Sequence, residues 1–187
     1  MRVSGPGKRA SSEAILLLLG VALLASAAYG QPYASLGQAQ ADADDGDVLP
    51  AEDVSPLFVG MYRKVMAIEA QIIKYSNKYD VDLTLARAVC MYESGGNANL
   101  RSAAGARGYF QVMPATFRSL RVRTNIEAGI KYLGQLVRSF NRPDSVLAAY
   151  NGGPTRVARG RALPMETKQY VLGVGAYRRV LQNYEPS

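Results

Sequence analysis

Glu93 falls where an apolar helix pattern gives way to a glycine-rich loop, and Ser94, Gly95, Gly96 and Asn97 follow it directly. On helical phase it stands three residues beyond Cys90 and four beyond Val89, on or beside an apolar face. A carboxyl group so placed is partly desolvated, so its pKa rises and it stays protonated near neutrality, the state a general acid needs. A solvated helix-end carboxylate is the plainer reading, although a negative charge there opposes the helix dipole and so asks for a reason. The chain has no His and one Cys, which excludes Ser-His-Asp and Cys-His nucleophiles, His-ligated metals, paired-Cys zinc sites and an internal disulfide. Acid–base work is left to carboxylates, Tyr, Lys and backbone groups.

The elements that must position Glu93 read as helices. Leu57, Met61, Val65, Ile68 and Ile72 recur at three- and four-residue spacing, the stripe of an amphipathic helix. Tyr79 to Asp82 interrupts it, and Asp82 is placed to cap a helix from Leu83 to Glu93 with Leu83, Ala86, Val89 and Cys90 on its apolar face. Cys90 then reads as a small buried core residue. Residues 94–108 hold four glycines, two asparagines and two arginines and read as a long ordered loop, of the kind that usually has a function. Pro114 opens a short helix to Leu120, Asn125 is the expected cap of a helix through Phe140, and Pro143 to Tyr150 forms another that Asn151-Gly152-Gly153-Pro154 breaks. A last helix covers Glu166 to Leu181. No segment sustains period-two alternation, so the fold class is mainly α, with room for a small β-hairpin near residues 99–112.

Charge divides the chain. Residues 31–56 carry six acidic and no basic side chains, whereas residues 57–187 carry 19 basic and 8 acidic ones. Such a basic domain invites an anionic partner: nucleic acid, a membrane surface or an acidic wall polymer. Arg2, Lys8 and Arg9 precede an apolar run from Ala14 to Ala25 and an Ala25-Ser26-Ala27 site, the pattern of an export signal over residues 1–27. An uncleaved anchor is the alternative, but the run is shorter than the roughly 18–20 apolar residues a spanning helix needs. Residues 28–56, acidic and poor in large apolar groups, read as a disordered linker ahead of one domain at 57–187. Export turns the charge argument from nucleic acid toward the cell envelope and leaves the membrane a role only through the signal.

Four ordered blocks then carry a resemblance. They are Glu93-Ser94-Gly95-Gly96-Asn97 with Ser102 to Thr116; Asn125-Ile126 to Leu133; Ala148-Ala149-Tyr150-Asn151-Gly152-Gly153-Pro154; and Glu166-Thr167-Lys168-Gln169-Tyr170-Val171. Over roughly residues 57–180 the chain resembles the transglycosylase (SLT) domain of soluble lytic murein transglycosylases, which has the goose-type lysozyme fold. It departs from that pattern at Gly96, Ala98 and the Tyr109-Phe110 pair. The resemblance implies that Glu93 is the sole catalytic acid/base and that Ser94 holds the substrate near its acetamido group or peptide. It implies that Gln111 and Met113 line a glycan cleft, that Tyr150 lies beside Glu93 with Asn151 supporting the turn, and that Glu166 and Tyr170 shape the far wall. Met113 and Phe110 as ordinary core, and Tyr150 as a packed phenol, are the alternatives.

An ordinary glycosidase uses two carboxyl groups. One carboxylate in the matched core suits intramolecular chemistry: cleavage of the β-1,4 bond between N-acetylmuramic acid and N-acetylglucosamine with a 1,6-anhydromuramyl end. No metal or cofactor is implied, and the expected partners are peptidoglycan glycan strands. Wall recycling, cell separation and wall opening for an envelope-spanning machine all use this chemistry, so such a machine enters as an unidentified partner class. A lysozyme-type hydrolase and a non-catalytic peptidoglycan-binding module are the competing functions. The expected address is the periplasm or cell envelope.

Overall fold

The computed structural model describes residues 56–184. The export segment 1–27, and the linker up to its last residue, lie outside the described residues. The chain divides into two units. In the first, the described residues are Pro56–Val59 and Asn183–Tyr184, where Phe58 meets Tyr184 edge-on at 5.5 Å between ring centres. The second, Gly60–Gln182, contains every candidate site residue.

Eight helices occur among the described residues: α1 Pro56–Met66, α2 Glu69–Tyr79, α3 Leu83–Ser94, α4 Pro114–Leu120, α5 Asn125–Ser139, α6 Pro143–Gly152, α7 Pro154–Ala158 and α8 Met165–Asn183. None is long and apolar enough to cross a membrane. The expected first helix is two. The backbone breaks at Ala67-Ile68, where Ile68 has φ −113° and ψ 13°, and Ile68 is buried at the corner. The stripe also starts elsewhere than its period suggests, since Leu57 is 52% exposed and Phe58 is buried instead. After the corner, Glu69 pairs with Arg87 of α3 and so ties the new helix to the core.

Helix α3 carries the candidate acid. Asp82 caps it as expected, accepting the Leu85 N–H at 2.8 Å, and Gly95 closes it in the left-handed conformation with its N–H on the Met91 carbonyl. Leu85, Ala86, Ala88, Val89, Cys90 and Met91 are all buried, more of the circumference than a one-faced stripe would cover, while Leu83 is only half-buried. A helix buried on most sides is a core helix. Its last turn therefore delivers Glu93 to the edge of the core, half-buried.

Helices α2 and α5 form the most extensive helix pair, and α2 also packs on α3. Thr124, not Asn125, caps α5, accepting the Glu127 N–H at 3.2 Å, because the Asn125 side chain is used by the loop before it. Glu127 accepts from Lys78 Nζ and from the Tyr79 hydroxyl, each at 2.8 Å. The expected hairpin reduces to two isolated antiparallel bridges, Arg101 with Arg107 and Arg107 with Val112, and no strand occurs among the described residues. Pro154, expected only to break α6, starts the short α7 instead.

The Lys78 hydrogen bond, helped by Tyr79 and opposed by burial, holds the Glu127 carboxyl below the usual carboxylate range. A depressed folded-state pKa contributes stability that is present above the unfolded value of about 4.3 and lost as pH falls through the folded value. The melting temperature of the wild type is therefore expected to drop more steeply below pH 5 than that of Glu127→Gln, measured by circular dichroism in low salt. Parallel curves for the two proteins would remove the α2–α5 pairing as a source of acid lability.

Candidate active site

The Glu93 side chain is half-buried, and its Oε1 accepts the Tyr170 hydroxyl at 2.8 Å. Burial pushes its pKa up to about 8, against the Tyr170 hydrogen bond, which favours the ionised form and pulls the value down. Desolvation wins, and the carboxyl is mainly protonated at neutral pH. Burial and then the nearby Glu93 charge also hold the Tyr150 and Tyr170 hydroxyls well above the ordinary tyrosine value. Both phenols are thus neutral donors across the working range.

Tyrosines organise this carboxyl. The Tyr150 and Tyr170 rings lie parallel within 5°, with centres 6.4 Å apart. Tyr92 meets Tyr170 edge-on at 5.0 Å, and Tyr132 tilts against Tyr150 at 5.3 Å. Such ring pairs add roughly 0.5–1.5 kcal/mol each beyond their buried area. Tyr150 donates to the Phe110 carbonyl at 2.9 Å. The direct partner of Glu93 is therefore Tyr170 on α8, while Tyr150 joins α6 to the loop and stacks behind that partner. The resemblance sets Tyr150 beside Glu93 and Tyr170 in the far wall; the hydrogen bond to the carboxyl comes instead from Tyr170, because the Tyr150 hydroxyl is spent on the loop.

The loop is built on side-chain bonds to backbone. Ser94 donates to the Tyr109 carbonyl at 2.8 Å and accepts the N–H groups of Gly96 and Asn97 at 3.2 Å each. Gln111, at φ 42°, gives its amide hydrogens to the carbonyls of Gly108 (2.8 Å) and Leu100 (3.1 Å). Asn125 accepts the Phe110 N–H at 3.0 Å and donates to the Arg107 carbonyl at 2.7 Å. This needs a glycine at 108, since a Cβ there would stand 2.7 Å from Asn125 Cγ and Gly108 itself has φ 73°. Asn125 matched the sequence pattern, but as a helix cap; the signal that it serves the loop was its place in a matched block.

The expected residues do not all converge. Glu93, Tyr150 and Tyr170 form one contact group. Phe110 is wholly buried and is core, whereas Met113, before Pro114 at the start of α4, is 42% exposed and open to a ligand. Asn151 is exposed and accepts from the buried Thr167 hydroxyl at 2.8 Å, a tie between α6 and α8 that sequence reading missed. Glu166 is exposed on the first turn of α8, one turn ahead of Tyr170, and among the described residues no hydrogen bond or ion pair joins it to the others. Cys90, one turn before Glu93, is fully buried and its thiol is pushed up to about 12, an inert core group.

Gly173 makes the close approach of α3 and α8 possible, because a Cβ there would stand 2.2 Å from Cε2 of Tyr92, the ring that abuts Tyr170. On the same helix, a Cβ at Gly175 would meet only Arg179, at 3.8 Å. Gly173→Ala is expected to destabilise the protein by about 1–3 kcal/mol through overpacking. Gly175→Ala is expected to be neutral or to stabilise by up to about 1 kcal/mol through helix propensity. Denaturant unfolding of both variants checks the contrast, and equal effects would mean the α3–α8 contact is looser than described.

The transglycosylase SLT domain family model matches residues 70–172, the stretch from α2 through Tyr170. The chain is 34% identical over 101 residues to the transglycosylase of Enterobacteria phage PRD1, covering 51% of this chain and 37% of the phage protein. It is 32% identical over 136 residues to the soluble lytic murein transglycosylase of Salmonella typhimurium, covering 56% of this chain and 21% of that protein. The chain thus spans well under half of the length of these curated relatives. The fold superimposes on the X-ray structure of an inactive mutant of lytic transglycosylase Slt from Pseudomonas aeruginosa with a TM-score of 0.55 and 27% identity, over 65% of this chain and 25% of that one. With its mainly helical architecture and its family match over more than half its length, this chain belongs to the transglycosylase SLT domain family.

Proposed function

We propose that the chain is a lytic transglycosylase that cleaves the bond between N-acetylmuramic acid and N-acetylglucosamine in peptidoglycan, with Glu93 as its one acid/base. The observation that carries this reading is the neutral, half-buried Glu93 carboxyl beside Tyr170. In the first step Glu93 gives its proton to the glycosidic oxygen as the bond from that oxygen to C1 of the muramyl sugar breaks. The muramyl acetamido group stabilises the oxocarbenium-like carbon from within the substrate. Glu93, now a carboxylate, takes the proton of the muramyl C6 hydroxyl while O6 bonds to C1. The 1,6-anhydro ring closes, no water is consumed, and Glu93 ends protonated as it began. Tyr170 stabilises the carboxylate between the two steps by the hydrogen bond it already donates.

The remaining roles follow from what each side chain has free. Met113 offers an exposed apolar contact to a sugar, and Asn151 an exposed amide at the turn after Tyr150. Gln111 has only its amide oxygen to present, since both amide hydrogens are used within the loop. Ser94 acts on the substrate through the loop it holds, and Glu166 meets ligand from the exposed edge of α8. The chain works in the cell envelope after export, and requires no metal or cofactor.

Two measurements test the reading. Mass spectrometry of fragments released from purified peptidoglycan is expected to find anhydromuramyl ends with the wild type and at least a thousandfold less product with Glu93→Gln. Reducing ends would make the enzyme a hydrolase, and wall binding without release would make it a binding module. The rate is expected to fall on the alkaline side near pH 8, as the acid loses its proton. In Tyr170→Phe, which removes the bond that lowers the Glu93 pKa, that limb is expected to move to higher pH. An unmoved limb would detach Tyr170 from the titrating group.

A further inference from the structure

A second feature lies on the other faces of the helices that hold the site. Between α6, α7 and α8 is an open recess of about 480 Å³. Its floor is apolar, from Ala148, Val157, Leu163 and Val171, and its rim carries three cations, Arg142, Arg161 and Lys168, with one carboxylate, Asp144. Among the described residues none of these four charges is in an ion pair. The wall is held in place: Arg156 donates to the Ala162 carbonyl at 3.2 Å, and the Arg161 N–H to the Arg156 carbonyl at 3.1 Å.

Helix geometry sets this recess apart from Glu93 and yet near it. On α8, Thr167 and Tyr170 face the site, while Lys168 and Val171 lie one residue on, about 100° around the axis. On α6, Ala148 lines the recess and Tyr150, two residues on, is turned about 200° away. On α6 the two faces are therefore nearly opposite, about one helix diameter of 10–12 Å apart, while on α8 they adjoin.

We propose that the recess is a docking site for the stem peptide of the peptidoglycan strand whose sugars lie at Glu93; this rests on the function proposed above. The charge pattern selects the occupant. Three cations over an apolar floor suit a ligand that alternates carboxylates with methyl groups, and the single Asp144 suits a ligand that also carries one free amine. A stem of alanine, glutamate and a diamino acid has all three. A polyphosphate or nucleic-acid strand has no use for the apolar floor and is repelled by Asp144. Reach agrees as well, since four extended residues span up to about 14 Å, enough to pass from a sugar on one face of α8 to the next.

The test titrates the ¹⁵N-labelled full chain with the tetrapeptide N-acetyl-L-alanyl-γ-D-glutamyl-meso-diaminopimelyl-D-alanine, whose one free amine is on the diaminopimelyl side chain. This probe has no glycosidic bond, so its binding is independent of whether Glu93 is the acid. Amide shifts are expected at Arg161, Lys168, Val171 and Leu172. Arg161→Glu with Lys168→Glu, both on exposed side chains, is expected to weaken binding at least tenfold with the helical spectrum unchanged. Asp144→Asn is expected to weaken it severalfold for this peptide and not for the one whose diaminopimelyl amine is acetylated as well. Shifts confined to Ser94, Gln111 and Tyr150, no binding at millimolar peptide, or equal displacement by an oligonucleotide of the same charge would each overturn the proposal.

Discussion

Everything about the site depends on the burial of one carboxyl group. Glu93 sits on the last turn of a helix that is buried on most sides, so its side chain emerges among protein groups and is held neutral up to a pKa of about 8. The Tyr170 hydroxyl is its one counterweight, favouring the anion without restoring it at neutral pH. An acid that must give a proton and then take one back needs both influences: desolvation to keep it loaded, and a fixed donor to receive the charge it leaves behind.

The rest of the domain can be understood as the means of keeping that balance. Four tyrosine rings form one cluster in which Tyr92 and Tyr150 fix Tyr170, the partner of the carboxyl, from two sides, with Gly173 leaving room for the ring of Tyr92. The loop beyond Ser94 is pinned at Tyr109, Gly108 and Leu100 by the side chains of Ser94 and Gln111, so polar residues that look like ligand contacts are largely committed to backbone. The Lys78–Glu127–Tyr79 group joins α2 to α5.

Much of this was legible in the sequence, for identifiable reasons. The cap at Asp82, the start of α4 at Pro114 and the burial of Cys90 follow from local rules and appear as expected. Glu93 could be singled out because helical phase sets it beside Val89 and Cys90. What was not legible depends on tertiary contact. The corner at Ala67-Ile68 interrupts a stripe whose period is unbroken, so the pattern alone does not mark it. Asn125 has the chemistry of a cap and is spent on the loop, leaving the cap to Thr124. The resemblance sets Tyr150 beside Glu93, and only the tertiary hydrogen bonds decide that Tyr170 meets the carboxyl while the Tyr150 hydroxyl goes to the Phe110 carbonyl.

The central claim is that burial keeps the Glu93 carboxyl protonated at neutral pH, and the most direct measurement is a ¹³C NMR titration of the glutamate side-chain carboxyl carbons, with Glu93→Gln used to assign the signal. The account requires one carboxyl that titrates near pH 8, well clear of the other glutamates. If the Glu93 signal instead moves with the others, near pH 4 to 5, the carboxyl is an ordinary solvated anion at neutrality. It could not then serve as the acid, and the proposed chemistry would have no proton to begin with.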